Sequence, residues 1–149
     1  CIGAVGLHLG ALTAFLYADW IKEGVVGHIG DSRAYRFGPT GVFRLTEDHS
    51  WVAERLKEGV LTRTEAERHP YRNVLTRALG LPEARFDLVE VRLAPGEGVL
   101  LVTDGLYGHV PEEEWRLGRD LQASLEAMVA EALRRGGDDN VTAVALRVE

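Results

Sequence analysis

The first eighteen residues, CIGAVGLHLGALTAFLYA, contain no Asp, Glu, Lys or Arg. Such a run brushes the length of a membrane helix. Three glycines and a histidine inside it argue against a span, and no basic stretch precedes it as a signal peptide requires. From about Gly10 the pattern turns strand-like, so the segment reads as a buried strand with its lead-in. ALTAFLYA and GVVGHIG are β-prone runs on either side of the charged turn DWIKEG, which predicts a hairpin. RAYRFGPTGVFRL predicts a second, with Gly38, Pro39 and Gly41 supplying its turn. Together the two predict an antiparallel meander.

The period then changes. In SWVAERLKEGV, Trp51, Val52, Arg55 and Leu56 fall near one helical face, with Ser50 as the N-cap. TRTEAERH predicts a short charged helix that stops before Pro70. RNVLTRALG fits a helical turn and a return to the sheet equally well. Residues 46–80 therefore read as an insertion lying over the sheet. ARFDLVEVRLAPGEGVLLVTDG predicts two strands, the second a continuous apolar run from Val99 to Thr103 that is buried on both faces. DLQASLEAMVAEALRR is the clearest helix. Leu121, Leu125, Met128, Val129, Ala132 and Leu133 form its apolar stripe, Asp120 caps its start, and Gly136 and Gly137 mark its end. Met128 reads as core. The alternation in VTAVAL predicts a last strand. This order predicts an α+β fold, an antiparallel β-sandwich flanked by helices, in one domain.

Composition narrows the partners. A chain of 149 residues, 46% hydrophobic and 27% charged, suits one globular domain. Seventeen basic against twenty-three acidic residues give a net charge of -6, without a basic cluster. That excludes nucleic acid and an anionic membrane as expected partners. The one cysteine, Cys1, cannot form an internal disulfide, which predicts a cytoplasmic setting. The oligomeric state is not legible from these features.

Candidate chemistry lies where strands meet acids. GHIGDSRAY puts Asp31 after a β run, LLVTDGLYG does the same for Asp104, and GGDDNVTAV puts Asp138 and Asp139 before one. Neighbouring strands of a sandwich deliver their ends to one edge, and hard divalent cations need several oxygen ligands on a rigid frame. Gly30 and Gly105 would let backbone or water approach such an ion. Turns rich in Gly and Asp are common without any ligand, so a structural turn and a metal site remain equal alternatives at this point. Of the histidines, His28 in mid-strand reads as a packed or hydrogen-bonded core residue, His49 as fixing a loop, and His69 as anchoring the insertion.

The strings GDSRAYRF, LTEDHSWV, HPYRNVLTRALG, LLVTDGLYGHV and GGDDNVTAV, in this order, resemble the metal-dependent Ser/Thr protein phosphatases of type 2C (the PPM family), bacterial members above all. The resemblance runs from about Gly10 to Val148. It implies a four-layer α/β/β/α sandwich whose edge holds two Mg²⁺ or Mn²⁺ ions. It also implies a bridging water that attacks phosphoserine or phosphothreonine of a phosphorylated protein substrate in line. By matching positions, Asp104 and Asp139 are ligands of the first metal, and Asp138 fills a variable slot. Asp31 supports an accessory third metal or braces its turn. Residues 46–80 match the flap beside the active site, with Arg72 and Asn73 next to the substrate. The family's histidine general acid has no counterpart among His28, His49 and His69, so the catalytic residue stays unassigned.

Two departures qualify the match. Neither an RxxNED string nor an upstream DGxGG is found, so the arginine that clamps phosphate and the remaining metal acids are not in these residues. The chain is expected to be the C-terminal portion of a longer enzyme, or else a domain that lost catalysis and binds a phosphoprotein or another partner through the flap. Many members also carry a carboxylate four residues after the first-metal aspartate, where this chain has Gly108, which weakens the third site. A calcium-binding structural domain ranks last, since no Asp-x-Asp-x-Asp-Gly loop occurs.

Overall fold

The charged turn folds the chain back as its composition suggests. β2 (Ala11–Ala18) and β3 (Glu23–Ile29) pair antiparallel, Phe15 opposite Val26 and Thr13 opposite His28. The structure is a computed structural model that describes the backbone of residues 2–8 and all atoms of residues 11–82, 84–137 and 140–149. Ahead of β2 lies a further strand, β1 (Ile2–His8), paired to it from Ile2↔Tyr17 to His8↔Ala11. The apolar opening is thus two strands, where one with a lead-in was expected. Gly3, Gly6 and Gly10 dilute the strand signal, and only the ladder to β2 reveals the pairing.

The expected meander is broken into two sheets. After β3 the chain turns at Gly30, whose φ is +102°, and crosses over instead of pairing with its successor. β4 (Arg33–Gly38) and β5 (Gly41–Arg44) form the second hairpin in the other sheet. A second crossing separates β6 (Asp87–Arg92), which joins β3, from β7 (Gly98–Val102), which joins β4. β8 (Ala143–Arg147) pairs with β7. The orders are β1-β2-β3-β6 and β5-β4-β7-β8, all antiparallel.

Packing follows from alternation. Phe15, Tyr17, Val26 and Val91 of the first sheet meet Ala34, Val99 and Leu101 of the second. The opposite face of the second sheet presents Tyr35, Phe37, Leu100 and Val102 to Leu106, Trp115, Met128 and Ala132. β7 is therefore buried on both faces, as its continuous apolar run predicts, because it lies between the first sheet and the helical layer. α4 (Leu121–Arg134) supplies much of that layer. Asp120 Oδ1 caps it by accepting from Ala123 N–H at 3.0 Å, and Gly136 ends it at φ +95°. Met128 is core. Leu133, counted in the apolar stripe, instead lies 54% exposed at the edge of the contact.

The insertion holds two short helices, α1 (Trp51–Lys57) capped by Ser50 and α2 (Arg63–Arg68) opened by a capping box between Thr62 and Glu65. RNVLTRALG is neither helix nor strand and contributes an isolated bridge, Leu75 to Ser50. Among the described residues, no helix is long and apolar enough to cross a membrane. The outer face of the first sheet carries Leu16, Val25 and Leu88, exposed by 59%, 40% and 74%.

Candidate metal centre at the strand mouths

Strand β7 ends at Val102, and Thr103 takes an extended conformation that lets Asp104 begin a four-residue helix, α3 (Asp104–Tyr107). So short a helix has no periodicity to betray it in the sequence. Thr103 does not cap it. Its Oγ1 donates to the Asn140 carbonyl (3.2 Å) and accepts from Thr142 N–H (3.0 Å), while its own N–H donates to the Thr142 carbonyl (3.1 Å). Gly105 completes the seam, since a Cβ there would run into the Asn140 carbonyl. Gly105 thus has a packing reason of its own, beside the expected approach of an ion. Gly30 likewise is required by its positive φ and by Ala11 packed against its Cα. Asp104 thus opens its helix beside the start of the segment that leads into β8. Asp138 and Asp139 lie outside the described residues, and Asn140 is their sequence neighbour.

The Asp31 turn is bound to the same helix. Tyr107 Oη donates to the Asp31 carbonyl at 2.7 Å. The Arg33 guanidinium stacks 3.5 Å from the centre of the Tyr107 ring and makes a bidentate pair with Asp48, at 2.9 and 2.7 Å. Arg44 joins Asp48 from the other side at 2.8 Å. Burial would disfavour the charged guanidinium, but the Asp48 carboxylate outweighs it and holds the Arg33 proton more tightly than usual. Burial, then Asp48, pushes the Tyr107 hydroxyl well above the ordinary phenol range, so it remains a donor. One chain of contacts therefore links the Asp104 helix, the Asp31 turn and the root of the insertion.

Below that root the first sheet carries a polar row, Thr13, His28 and Asp87, placed side by side by the strand register. His28 is fully buried, with Thr13 Oγ1 2.9 Å from Nδ1 and the Glu47 carbonyl 2.8 Å from Nε2. Burial, then the neighbouring His49, lowers its pKa to about 4, so it is neutral at pH 7. His28 is a hydrogen-bonded core histidine and His49 fixes a loop, as expected of both. His69 packs its ring 4.7 Å from that of Trp51 within the insertion. Arg72 and Asn73 are exposed there, and Arg72 reaches back to the His69 carbonyl at 3.3 Å.

Among the described residues, no group of three or more His, Cys, Asp or Glu side chains is arranged to hold a metal. The acids at this edge, Asp31 and Asp104, supply carboxylate oxygen only, the donor type that Mg²⁺ and Mn²⁺ take. Sequence reasoning singled out both acids but not Thr103, Tyr107 or Asp48, which with Arg33 brace the backbone around them. Arg33 and Asp48 lie inside the strings GDSRAYRF and LTEDHSWV. Tyr107 meets Asp31 across 76 positions because β4 pairs with β7 and sets Arg33 opposite Val102, and Arg33 meets Asp48 through the loop that follows β5.

The fold is thus a two-sheet antiparallel sandwich in which the Asp31 turn and the Asp104 helix are tied together at the strand mouths, with residues 46–80 rooted beside them. Comparison with known proteins shows its relatives. No family model matches the sequence. A serine/threonine phosphatase (Stp) of Listeria welshimeri is 36% identical over 123 residues, covering 79% of this chain and 49% of its own. The crystal structure of the Mycobacterium tuberculosis serine/threonine phosphatase PstP superposes with a TM-score of 0.84 at 34% identity, over 93% of this chain and 60% of that one. A second structure of the PstP catalytic domain, in complex with two manganese ions, gives 0.81 at 33% identity, over 93% and 59%. The chain is a homologue of the bacterial PPM-type serine/threonine phosphatases. It spans about half the length of the curated relatives it matches.

Proposed function

We propose that this chain carries the C-terminal part of a protein phosphatase site that hydrolyses phosphoserine and phosphothreonine in proteins with the help of Mg²⁺ or Mn²⁺. The observation that supports this is the seam between Thr103–Gly105 and Asn140–Thr142, since Asn140 directly follows Asp139 in the sequence. Asp104 and Asp139 would hold one ion. Asp31, tethered through Tyr107, would serve an accessory position at the same edge. Held there, such ions would lower the pKa of a water and offset charge on the phosphoryl oxygens. The chain's own share is to hold the carboxylates rigid, and to present Arg72 and Asn73 from the flap, residues 46–80, to the phosphorylated protein.

The test is hydrolysis of a phosphothreonine peptide by the whole reading frame that contains this chain, with Mn²⁺ present. Asp104→Asn and Asp139→Asn should each lower kcat/KM by roughly a hundredfold or more. Unchanged turnover and metal affinity in Asp139→Asn would overturn the reading. A reading frame without the Arg and Asn-Glu-Asp motifs would instead favour a non-catalytic module that binds phosphoprotein.

A further inference from the structure

The function proposed above gives His49 no task, yet both ring nitrogens and both backbone polar groups of this residue are engaged at the flap root. Its ring is buried and lies 4.7 Å from that of His28. Gly30 N–H donates to His49 Nδ1 at 3.0 Å. A nitrogen that accepts carries no proton, so the proton sits on Nε2, which faces Asp87 Oδ2 at 2.7 Å. The other oxygen of Asp87 accepts from Arg77 Nη1 at 3.2 Å, and the same nitrogen donates to the Arg85 carbonyl at 3.1 Å. The His49 backbone closes the knot. Its N–H donates to the Gly30 carbonyl at 2.8 Å, and its carbonyl accepts from Thr76 N–H at 2.9 Å. Both polar groups of Gly30 are therefore held by one residue. Gly30 has no side chain of its own to anchor it and occupies a positive φ directly ahead of Asp31.

We infer that His49 is a positioning residue. Locked as the Nε2–H tautomer by Asp87, its imidazole fixes the peptide that precedes Asp31 and couples it to both ends of the flap. The coupling rests on the metal-site reading only in so far as Asp31 matters to function. The carboxylate has a specific task in this arrangement. Without an acceptor at Nε2 the proton is free to move to Nδ1, where it would face the Gly30 N–H donor to donor. Burial opposes the ionised form of Asp87, but the hydrogen bond from His49 and then Arg77 outweigh it, so its pKa lies below the usual carboxylate range. The remaining neighbour, His28, is neutral and meets His49 through ring contact.

The experiment records imidazole nitrogen shifts and amide hydrogen exchange of the ¹⁵N-labelled chain, as wild type, Asp87→Asn and Asp87→Leu. His49 should be the Nε2–H tautomer in the wild type and in Asp87→Asn, which keeps an acceptor oxygen. Asp87→Leu should mix the tautomers and speed exchange at Gly30 by about tenfold or more, while Leu100 and Leu101 in β7 keep their rates. A wild-type Nδ1–H tautomer overturns the inference, and this holds even if Asp87→Leu does not fold. Unchanged Gly30 exchange in Asp87→Leu overturns it too, as does an equal rise throughout β7, which would report lost fold stability alone. None of these readouts needs metal or turnover, so they stand or fall separately from the phosphatase assay.

Discussion

Tyr107 donates its hydroxyl to the backbone carbonyl of Asp31 across 2.7 Å, and so ties the helix that begins at Asp104 to the turn that carries the other acid. The ring is held in place by Arg33, stacked 3.5 Å from its centre, and Arg33 in turn by Asp48. Removing the hydroxyl alone tests the tie. Tyr107→Phe keeps the stacked ring but leaves the Asp31 carbonyl without this donor. It should lower unfolding free energy by about 1–2 kcal/mol, with an unchanged urea m-value.

The Arg33–Asp48 pair predicts a larger loss. Its side chains are 19% and 11% exposed, so removing one partner leaves a mostly buried charge with less compensation. Arg33→Met should cost about 3 kcal/mol or more in urea unfolding. Arg44 still reaches Asp48, and Arg33→Met combined with Asp48→Leu should recover part of the loss. A double variant no more stable than Arg33→Met would count against the buried charge as the cause.

Acid should weaken the fold through His28. The group takes its proton near 6.5 when unfolded but only near about 4 when folded, held neutral among Thr13, the Glu47 carbonyl and His49, with Asp48 and Asp87 nearby. Between those values the unfolded chain binds the extra proton. The stability from the buried neutral form is therefore present above pH 6.5 and is lost as pH falls towards about 4, amounting to about 3 kcal/mol. Urea unfolding measured across that range should show the slope, and His28→Gln should flatten it.

Gly105→Ala places a methyl against the Asn140 carbonyl, with Val141 close behind. Backbone cannot yield as a side-chain end does, so the seam between α3 and the entry to β8 should open at a cost of about 2 kcal/mol or more. Faster amide exchange at Thr142, whose N–H is held by Thr103, would locate the damage. Gly59→Ala is the contrast. Its φ is +77° with open space around it, so it should cost about 1 kcal/mol through backbone strain alone.

The outer face of the first sheet should bind an apolar fluorescent dye. Leu16 lies opposite Val25 and Gly27 opposite Leu88 in the strand register, and these three large side chains are exposed. Leu16→Glu with Leu88→Lys should at least halve dye fluorescence, roughly, and shift unfolding free energy by less than about 0.5 kcal/mol. A dye signal that persists would show that the apolar surface lies elsewhere.

Local signals were legible in residue order. The turn DWIKEG, the alternation along ALTAFLYA, the caps Ser50 and Asp120, and the doubly buried run of β7 all arise from interactions within a few positions, and each element formed as expected. The acids Asp31 and Asp104 were legible too, because strand ends and Gly-Asp turns have a recognisable composition. Tertiary structure decided what no local period encodes. It split the meander at Gly30, drew a first strand out of a glycine-diluted run, and left Leu133 outside the helix contact. It also chose the partners of the acids: Tyr107 for the Asp31 turn, and Thr103 and Gly105 for the entry to β8. Those contacts join positions tens of residues apart, and their geometry is set by the long-range pairing of β7 with β4 and β8. The residue types at strand mouths were therefore a property of the chain, and their convergence a property of the fold.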